Sequence, residues 1–319
     1  MDLRRPGLNR AARPAATPEL AACGGAIAAI APAAGDLVCV LPLLARAMSV
    51  ESPLRTLDIQ IPSQPDALLR LSLLMAEEEV NLSALSQLIE SDMALAAVVL
   101  QAVNSPLYGV SGRVQSVQQS ISYLGMREVA GIALEFGLRA VFPPAAELEV
   151  LWARAAQRGL IMGRLAQAMQ IDAWAAHSAG LFEECGKAVL LRHAPDHYRS
   201  MLRAATGDAM LCELEAGGFG IAHDALGAAL CESWGLSDAV ADCVRHHVQA
   251  QADHLLPQTL PRRDLLALSV LAHAMITAPD VLDDRVARLA PQCNLSTSGL
   301  LRAARRVHEQ IESARTHGR

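Results

Sequence analysis

The chain has 319 residues, of which 52% are hydrophobic and 3% aromatic, and its formal net charge is −6 at pH 7. The acidic balance argues against general affinity for nucleic acid or for an anionic membrane surface, because both depend on basic residues. Alanine and leucine, which favour helices, are prominent, and runs of β-branched residues are nearly absent. The composition therefore predicts an all-α fold with an aliphatic core.

Residues 1–56 are rich in Ala, Pro, Gly and Arg and have weak apolar periodicity. They predict a poorly structured leader that can be removed without unfolding the rest. Residues 21–45 are apolar, but glycines and prolines interrupt them, and the run is too short to span a bilayer. The seven cysteines include no CxxC pair, which is typical of reduced thiols. We therefore expect a cytoplasmic protein without a membrane segment.

A first lobe of about five short helices is predicted over residues 57–143. Pro65 marks the first helix start, and Ser91 is the expected N-cap of a later helix, with Asp92 in its first turn. Gly125 is expected to end another helix in the left-handed conformation. Pro143 and Pro144 then break the chain and would set the angle to the next lobe.

A second helical lobe is predicted over residues 147–277, followed by a helical extension over 278–319. The lobe begins with a long amphipathic helix. A later helical segment of the lobe contains GLFEECGKAVL at 180–190, in which two glutamates stand among apolar residues. A short helix is expected near 207–216, and a basic, mostly polar helix over 297–314. No strand pattern of period 2 and no internal repeat is present.

Several segments, in this order, resemble the HDOD domain, a bacterial signalling domain related to HD-type metal phosphohydrolases. They are LAAVVLQAVNSPLYG, SVQQSISYLG, AGLFEECGKAVL, FGIAHDALGAALCESWGL and the doublet at 246–247. The resemblance covers roughly residues 57–275, taken here as one domain over 57–277, and implies a two-lobed helical fold. It also implies signalling through protein contacts, with a sensor kinase, a response regulator or a cyclic-dinucleotide enzyme as partner.

The resemblance also places the metal-binding positions of HD enzymes on this chain. Those enzymes carry a His on one helix, a His-Asp pair on the next and an Asp further along. The matching positions are Arg154, Glu183, Glu184 and His273. Because a guanidinium has no lone pair to offer a metal, we expect neither a catalytic metal nor another cofactor.

The adjacent glutamates leave three interpretations open. Arg154 could bridge Glu183 and Glu184 where the metal would have been, and Lys187 is a further partner for Glu183, four residues along the helix. Both carboxylates could instead face water. They could also contact a ligand or a metal.

Four histidines of the second lobe could converge on a residual pocket: His223, His246, His247 and His273. Consecutive rings on a helix diverge by about 100°, so at most one of the doublet can face inward. They are the remaining case for a metal, and the alternative is that they are hydrogen-bonded core residues.

The sequence thus predicts a non-catalytic bacterial regulator that acts through protein contacts, in two-component or cyclic-di-GMP pathways. No phosphate-binding loop is present, and no GYP-like segment follows the histidine doublet. The crevice between the lobes, near Phe142 and Glu147, is the expected partner surface. The alternative is a divergent HD metal phosphohydrolase that acts on a nucleotide.

Overall fold

The computed structural model describes residues 59–317 except positions 78, 106, 107 and 109–112, and within this part the regular structure is entirely helical. The all-α prediction is therefore confirmed. The leader over residues 1–56 lies outside the described residues, so its proposed dispensability stays a prediction.

The first lobe is built around a central helix. Its helices are α1 (Asp66–Met75), α2 (Leu82–Glu90), α3 (Met93–Val103), α4 (Val117–Leu124) and α5 (Met126–Arg139). Helix α5 packs against all four preceding helices, and its residues 129–134 are buried without interruption. A helix whose middle stretch is buried on every side fits only at the centre of a bundle.

Side-chain caps set the starts of two short helices. Asp92 begins α3, because its Oδ1 accepts hydrogen bonds from the backbone N–H groups of Ala94 (2.9 Å) and Leu95 (3.2 Å). The prediction of Ser91 as this N-cap is wrong: Ser91 ends α2, and its hydroxyl donates to the carbonyl of Leu88. The aspartate is in an extended conformation that aims its carboxylate at the free N–H groups.

Gly125 joins α4 to α5 in a single residue. Its φ of 88° is a conformation that favours glycine, so the predicted helix end is confirmed. The predicted left-handed cap is wrong, because ψ is 158° and the chain turns directly into the next helix. The helices meet without an intervening loop.

The second lobe begins with the long helix α6 (Ala146–Ala168). The others are α7 (Ala173–Phe182), α8 (Cys185–His193), α9 (Pro195–Ala204), α10 (Asp208–Phe219), α11 (His223–Ser233), α12 (Asp238–Asp253), α13 (Arg263–Thr277), α14 (Leu282–Leu289) and α15 (Thr297–His317). Short 3-10 turns at Pro279–Val281 and Ala290–Cys293 flank α14. Helix α15 extends further than the predicted 297–314.

Helix α7 lies at the centre of this lobe, and residues 175–182 are buried without interruption. It packs against α5, α6, α12 and α13, so it also links the two lobes. His177 lies at that link: a Cβ added to Gly131 of α5 would lie 2.3 Å from its Nε2. Glycine at 131 therefore allows the imidazole to pack against the first lobe.

One bent pair of helices in the described part of the chain has the length and composition of a membrane span. Among the described residues, no single helix is long and apolar enough to cross a bilayer. The pair Leu82–Glu90 and Met93–Val103 passes by length and composition but is bent by 113°.

Candidate functional site: a buried charge network

The two adjacent glutamates lie at a break between helices. Helix α7 ends at Phe182 and α8 begins at Cys185, so Glu183 and Glu184 occupy the C-cap and N-cap positions. Both side chains are 0% exposed. The interpretation in which they face water is therefore wrong.

Arg158 holds both glutamates. Its Nη1 lies 2.8 Å from Glu183 Oε2 and 3.0 Å from Glu184 Oε1, and the arginine is 1% exposed. Arg154, one turn earlier on α6, is half-exposed, and its Nε lies 3.7 Å from Glu184 Oε1. The predicted crosslink between helices exists, but Arg158 forms its buried part, and Arg154 contacts one carboxylate from the rim.

Lys187 extends the network to α10. Its Nζ lies 2.9 Å from Glu184 Oε2 and 2.8 Å from Asp208 Oδ1. The predicted pairing of Lys187 with Glu183 is wrong, because the lysine reaches the nearer glutamate three residues back. Three basic and three acidic side chains thus pair inside the lobe: Arg154, Arg158, Lys187, Glu183, Glu184 and Asp208.

The mutual contacts keep this network ionised. Burial alone would raise the pKa of Glu184, but Lys187, Arg158 and Arg154 lower it to about 2. Burial would lower the pKa of Lys187, yet Glu184 and Asp208 raise it above the usual value. Asp208 is likewise held well below its usual pKa, since Lys187 outweighs its burial. Removing Arg158 or Lys187, which are both 1% exposed, would leave an uncompensated charge in the interior.

An amide connects the network to α12 and α13. The Nε2 of Gln251 donates to Glu183 Oε2 at 3.0 Å and to Ser269 Oγ at 3.0 Å. Glu183 Oε2 therefore accepts a hydrogen bond from Gln251 and forms an ion pair with Arg158, which fixes the carboxylate within the lobe.

The histidines converge only in part. The His223 and His247 rings are 0% exposed and their centroids lie 5.7 Å apart, whereas His246 is half-buried, so only one of the doublet is fully buried, as predicted. His247 Nδ1 lies 2.6 Å from the carbonyl of Val244 and must donate to it, so Nε2 carries the lone pair. Burial lowers the pKa of His273 to about 4, with the Arg158 charge adding to the effect.

His223 belongs to a second buried network. Tyr198 donates to Glu215 Oε1 at 2.6 Å, and the backbone N–H and Nδ1 of His223 both contact Glu215 Oε2 at 2.7 Å. Cys212 Sγ lies 3.6 Å from the same Nδ1. Both carboxylate oxygens of Glu215 thus have donors from the protein itself.

The charge network does not fit a divalent metal. Arginine and lysine have no lone pair to give, and Glu184 directs both oxygens to basic groups. Among the described residues, one set of three His, Cys, Asp or Glu side chains brings potential ligand atoms within 4.8 Å of one another: Cys212, Glu215 and His223. That set contains neither Glu183 nor Glu184, and both oxygens of its Glu215 already accept hydrogen bonds from Tyr198 and His223.

Cys185 has no nucleophilic role in this setting. It is 0% exposed, and burial raises its pKa well above the usual value, with the neighbouring Glu184 adding to the effect. A thiol without thiolate character or solvent access is a packing residue.

Arg158 is the site residue that the sequence interpretation missed. It lies four residues after Arg154, so both arginines share one face of α6. An arginine pair at that spacing on α6, the helix to which the resemblance assigns the first metal position, was the signal that could have identified it.

A family model described as the HDOD domain matches residues 61–250. An uncharacterized protein of Treponema pallidum is 27% identical over 221 residues, which is 68% of this chain and 42% of that protein. The chain thus spans less than half the length of this curated relative.

Solved structures share the fold at low identity. A Marinobacter aquaeolei protein, named as a candidate signal transduction protein, is 22% identical with a TM-score of 0.65, over 87% of this chain and 64% of its own. A Shewanella amazonensis protein, named as a candidate phosphohydrolase, is 18% identical with a TM-score of 0.61, over 81% and 95%.

Proposed function

The chain belongs to the HDOD-domain family, and from this premise we propose that it is a regulatory binding protein of a bacterial signalling system and not a hydrolase. The observation that carries the proposal is that a single nitrogen of Arg158, Nη1, bridges the two carboxylates. One guanidinium nitrogen occupies the space between Glu183 and Glu184 that a divalent ion would need. A hydrolytic HD centre activates water on such an ion.

A helix crosslink is a structural role that needs no turnover. The network ties α6, α8 and α10 together and, through Gln251, reaches α12 and α13. It makes the second lobe a rigid support, on which a protein partner can be recognised by shape and charge.

We propose a signalling protein as the partner: a sensor kinase, a response regulator or a cyclic-dinucleotide enzyme. The expected surface is the crevice at the junction of the lobes. Phe142 and Trp152 pack there with ring centroids 5.5 Å apart, which keeps the junction ordered. The net charge of −6 argues for a protein in preference to a nucleic acid.

The alternative is a divergent metal phosphohydrolase acting on a nucleotide. Two observations favour it: the neighbouring buried rings of His223 and His247, and the name of the Shewanella relative. At 18% identity that likeness supports only the fold, and the arginine in the carboxylate pair opposes a metal.

A turnover assay separates the two functions. The full chain is incubated with nucleoside triphosphates, cyclic dinucleotides and a chromogenic phosphomonoester, each with added Mn²⁺, Mg²⁺ or Fe²⁺. We expect product at the level of a protein-free control. Turnover that disappears in Glu183→Gln would overturn the proposal and establish the hydrolase.

A further inference from the structure

A cavity of ≈ 190 Å³ lies beside the charge network, between the end of α12, the second half of α13 and the start of α14. Its volume is far larger than one water molecule requires, and it holds space for a small metabolite. Its lining comprises Gln251, His254, Val270, His273, Ala274, Thr277, Ala278, Val281 and Arg285.

Two polar atoms of this lining are buried without a hydrogen-bond partner: Gln251 Oε1 and His273 Nδ1. The orientation of the Gln251 amide is not arbitrary, because the nitrogen must face the Glu183 carboxylate, which can only accept. Oε1 is therefore an acceptor without a donor, on a side chain that is 9% exposed. Buried polar groups almost always have partners, so a donor from outside the chain is expected here.

The cavity also carries an unbalanced positive charge. Arg285 is the one permanently charged residue of the lining, and no carboxylate contributes to it. Within the described part of the chain, Arg285 forms no ion pair, whereas Arg288, one turn away, donates to the carbonyl of Asp253. A guanidinium without an ion pair and an acceptor without a donor line the same cavity, and together they select a ligand with both an oxyanion and a hydrogen-bond donor.

We propose that this cavity binds a small oxyanion that also carries hydroxyl or amino donors, with the oxyanion at Arg285 and a donor at Gln251 Oε1. Phosphorylated polyols and hydroxycarboxylates are members of this class. The exposed Thr277 lies at the edge of the cavity and leaves a route for entry.

Gln251 couples the cavity to the buried charge network. Its side chain lines the cavity, and its amide nitrogen donates to Glu183, which forms an ion pair with Arg158. Ligand binding would restrain this amide and thereby the position of Glu183. The inference goes beyond the proposed regulatory role and does not require it, because the cavity would bind its ligand whether or not the chain has a protein partner.

The test is isothermal titration of the full chain with glycerol 3-phosphate, which has an oxyanion and two hydroxyl groups, and with glycerol as the neutral counterpart. We expect glycerol 3-phosphate to bind saturably with a Kd below ~10 mM, and we expect no binding of glycerol. Arg285→Gln should weaken binding at least about ten-fold, the loss expected for one charge-assisted contact. Arg288→Gln is the matched control and should bind like the unmodified chain.

A steric variant keeps the test decisive if Arg285→Gln fails to fold. Thr277→Trp places a large ring at the edge of the cavity without touching the buried core, and it should abolish binding. Absence of saturable glycerol 3-phosphate binding, or binding that neither Arg285→Gln nor Thr277→Trp weakens, would overturn the proposal.

Discussion

At the scale of single residues, the decisive feature is a guanidinium shared by two carboxylates inside a lobe. A buried ion pair is costly to assemble and costlier to break, because breaking it leaves a charge without water or a partner. The distinction between Arg158 and Arg154 follows from burial: the first is 1% exposed, and the second has 35% of its side chain exposed.

Arg158→Met should therefore lower the free energy of unfolding by ~3–5 kcal/mol, because Glu183 and Glu184 lose their shared partner. Arg154→Met is the matched control on the same face of α6 and should cost at most ~1 kcal/mol. Urea unfolding of both variants measures this. Equal losses would show that the buried contact is not the one that matters.

His177 makes the fold sensitive to acid. Burial lowers its pKa to about 4, although a backbone contact with Gly131 acts the other way. Below pH 6.5 the unfolded chain binds a proton that the folded chain takes up only near pH 4, so stability falls as the pH falls. The loss assigned to this residue is about 2 kcal/mol between pH 7 and pH 5.

Replacing His177 by Asn should remove that part of the pH dependence. The measurement is urea unfolding at pH 7 and at pH 5. For the variant and for the unmodified chain, the free energy of unfolding at pH 5 is subtracted from that at pH 7, and the two differences are compared. A packing loss that is equal at both pH values cancels in this subtraction. A difference unchanged by the substitution would exclude His177 as the acid-sensitive group.

At the scale of elements, close helix approach depends on glycines. A Cβ on Gly186 would lie 1.9 Å from the carbonyl oxygen of His223. Because this oxygen belongs to the backbone, no side-chain rotation can relieve the clash. The N-terminal ends of α8 and α11 can therefore meet only if residue 186 is glycine. This contact places His223 near the network described above.

Gly186→Ala should destabilise the chain by ~3 kcal/mol or more, the upper range for overpacking. Gly217→Ala is the control, since this exposed glycine within α10 has nothing within 4 Å of its added Cβ. It should instead gain ~0.5–1 kcal/mol from helix propensity. Thermal unfolding of both variants distinguishes the two; a tolerated Gly186→Ala would mean that α8 and α11 can separate.

Local patterns were sufficient for most helices but not for their contacts. Pro65 and Gly125 marked helix boundaries correctly, because their backbone restrictions act within one or two residues. Helix α9 was missed although Pro195 marks its start and Tyr198 and Met201, three residues apart, form its buried side. Arg158 was missed because its partners are 25 and 26 residues away, and only packing brings them together.

At the scale of the whole molecule, the second lobe is a set of helices joined in its interior by ion pairs. The family resemblance predicted the helical architecture, and the family model supports it over residues 61–250. The alignment placed the first metal position at Arg154, and the same helix face supplies Arg158, which binds both acidic positions. Under the proposed function, this arginine takes the place of an ion between the two carboxylates.

Metal content tests this claim most directly. The full chain and a Glu183→Gln/Glu184→Gln variant are purified without chelator, dialysed, and analysed for Fe, Mn, Zn and Mg by mass spectrometry. The account predicts that the two preparations carry the same metal content, with no divalent ion that depends on the glutamates. About one equivalent of metal in the unmodified chain that is lost from the double variant would contradict it.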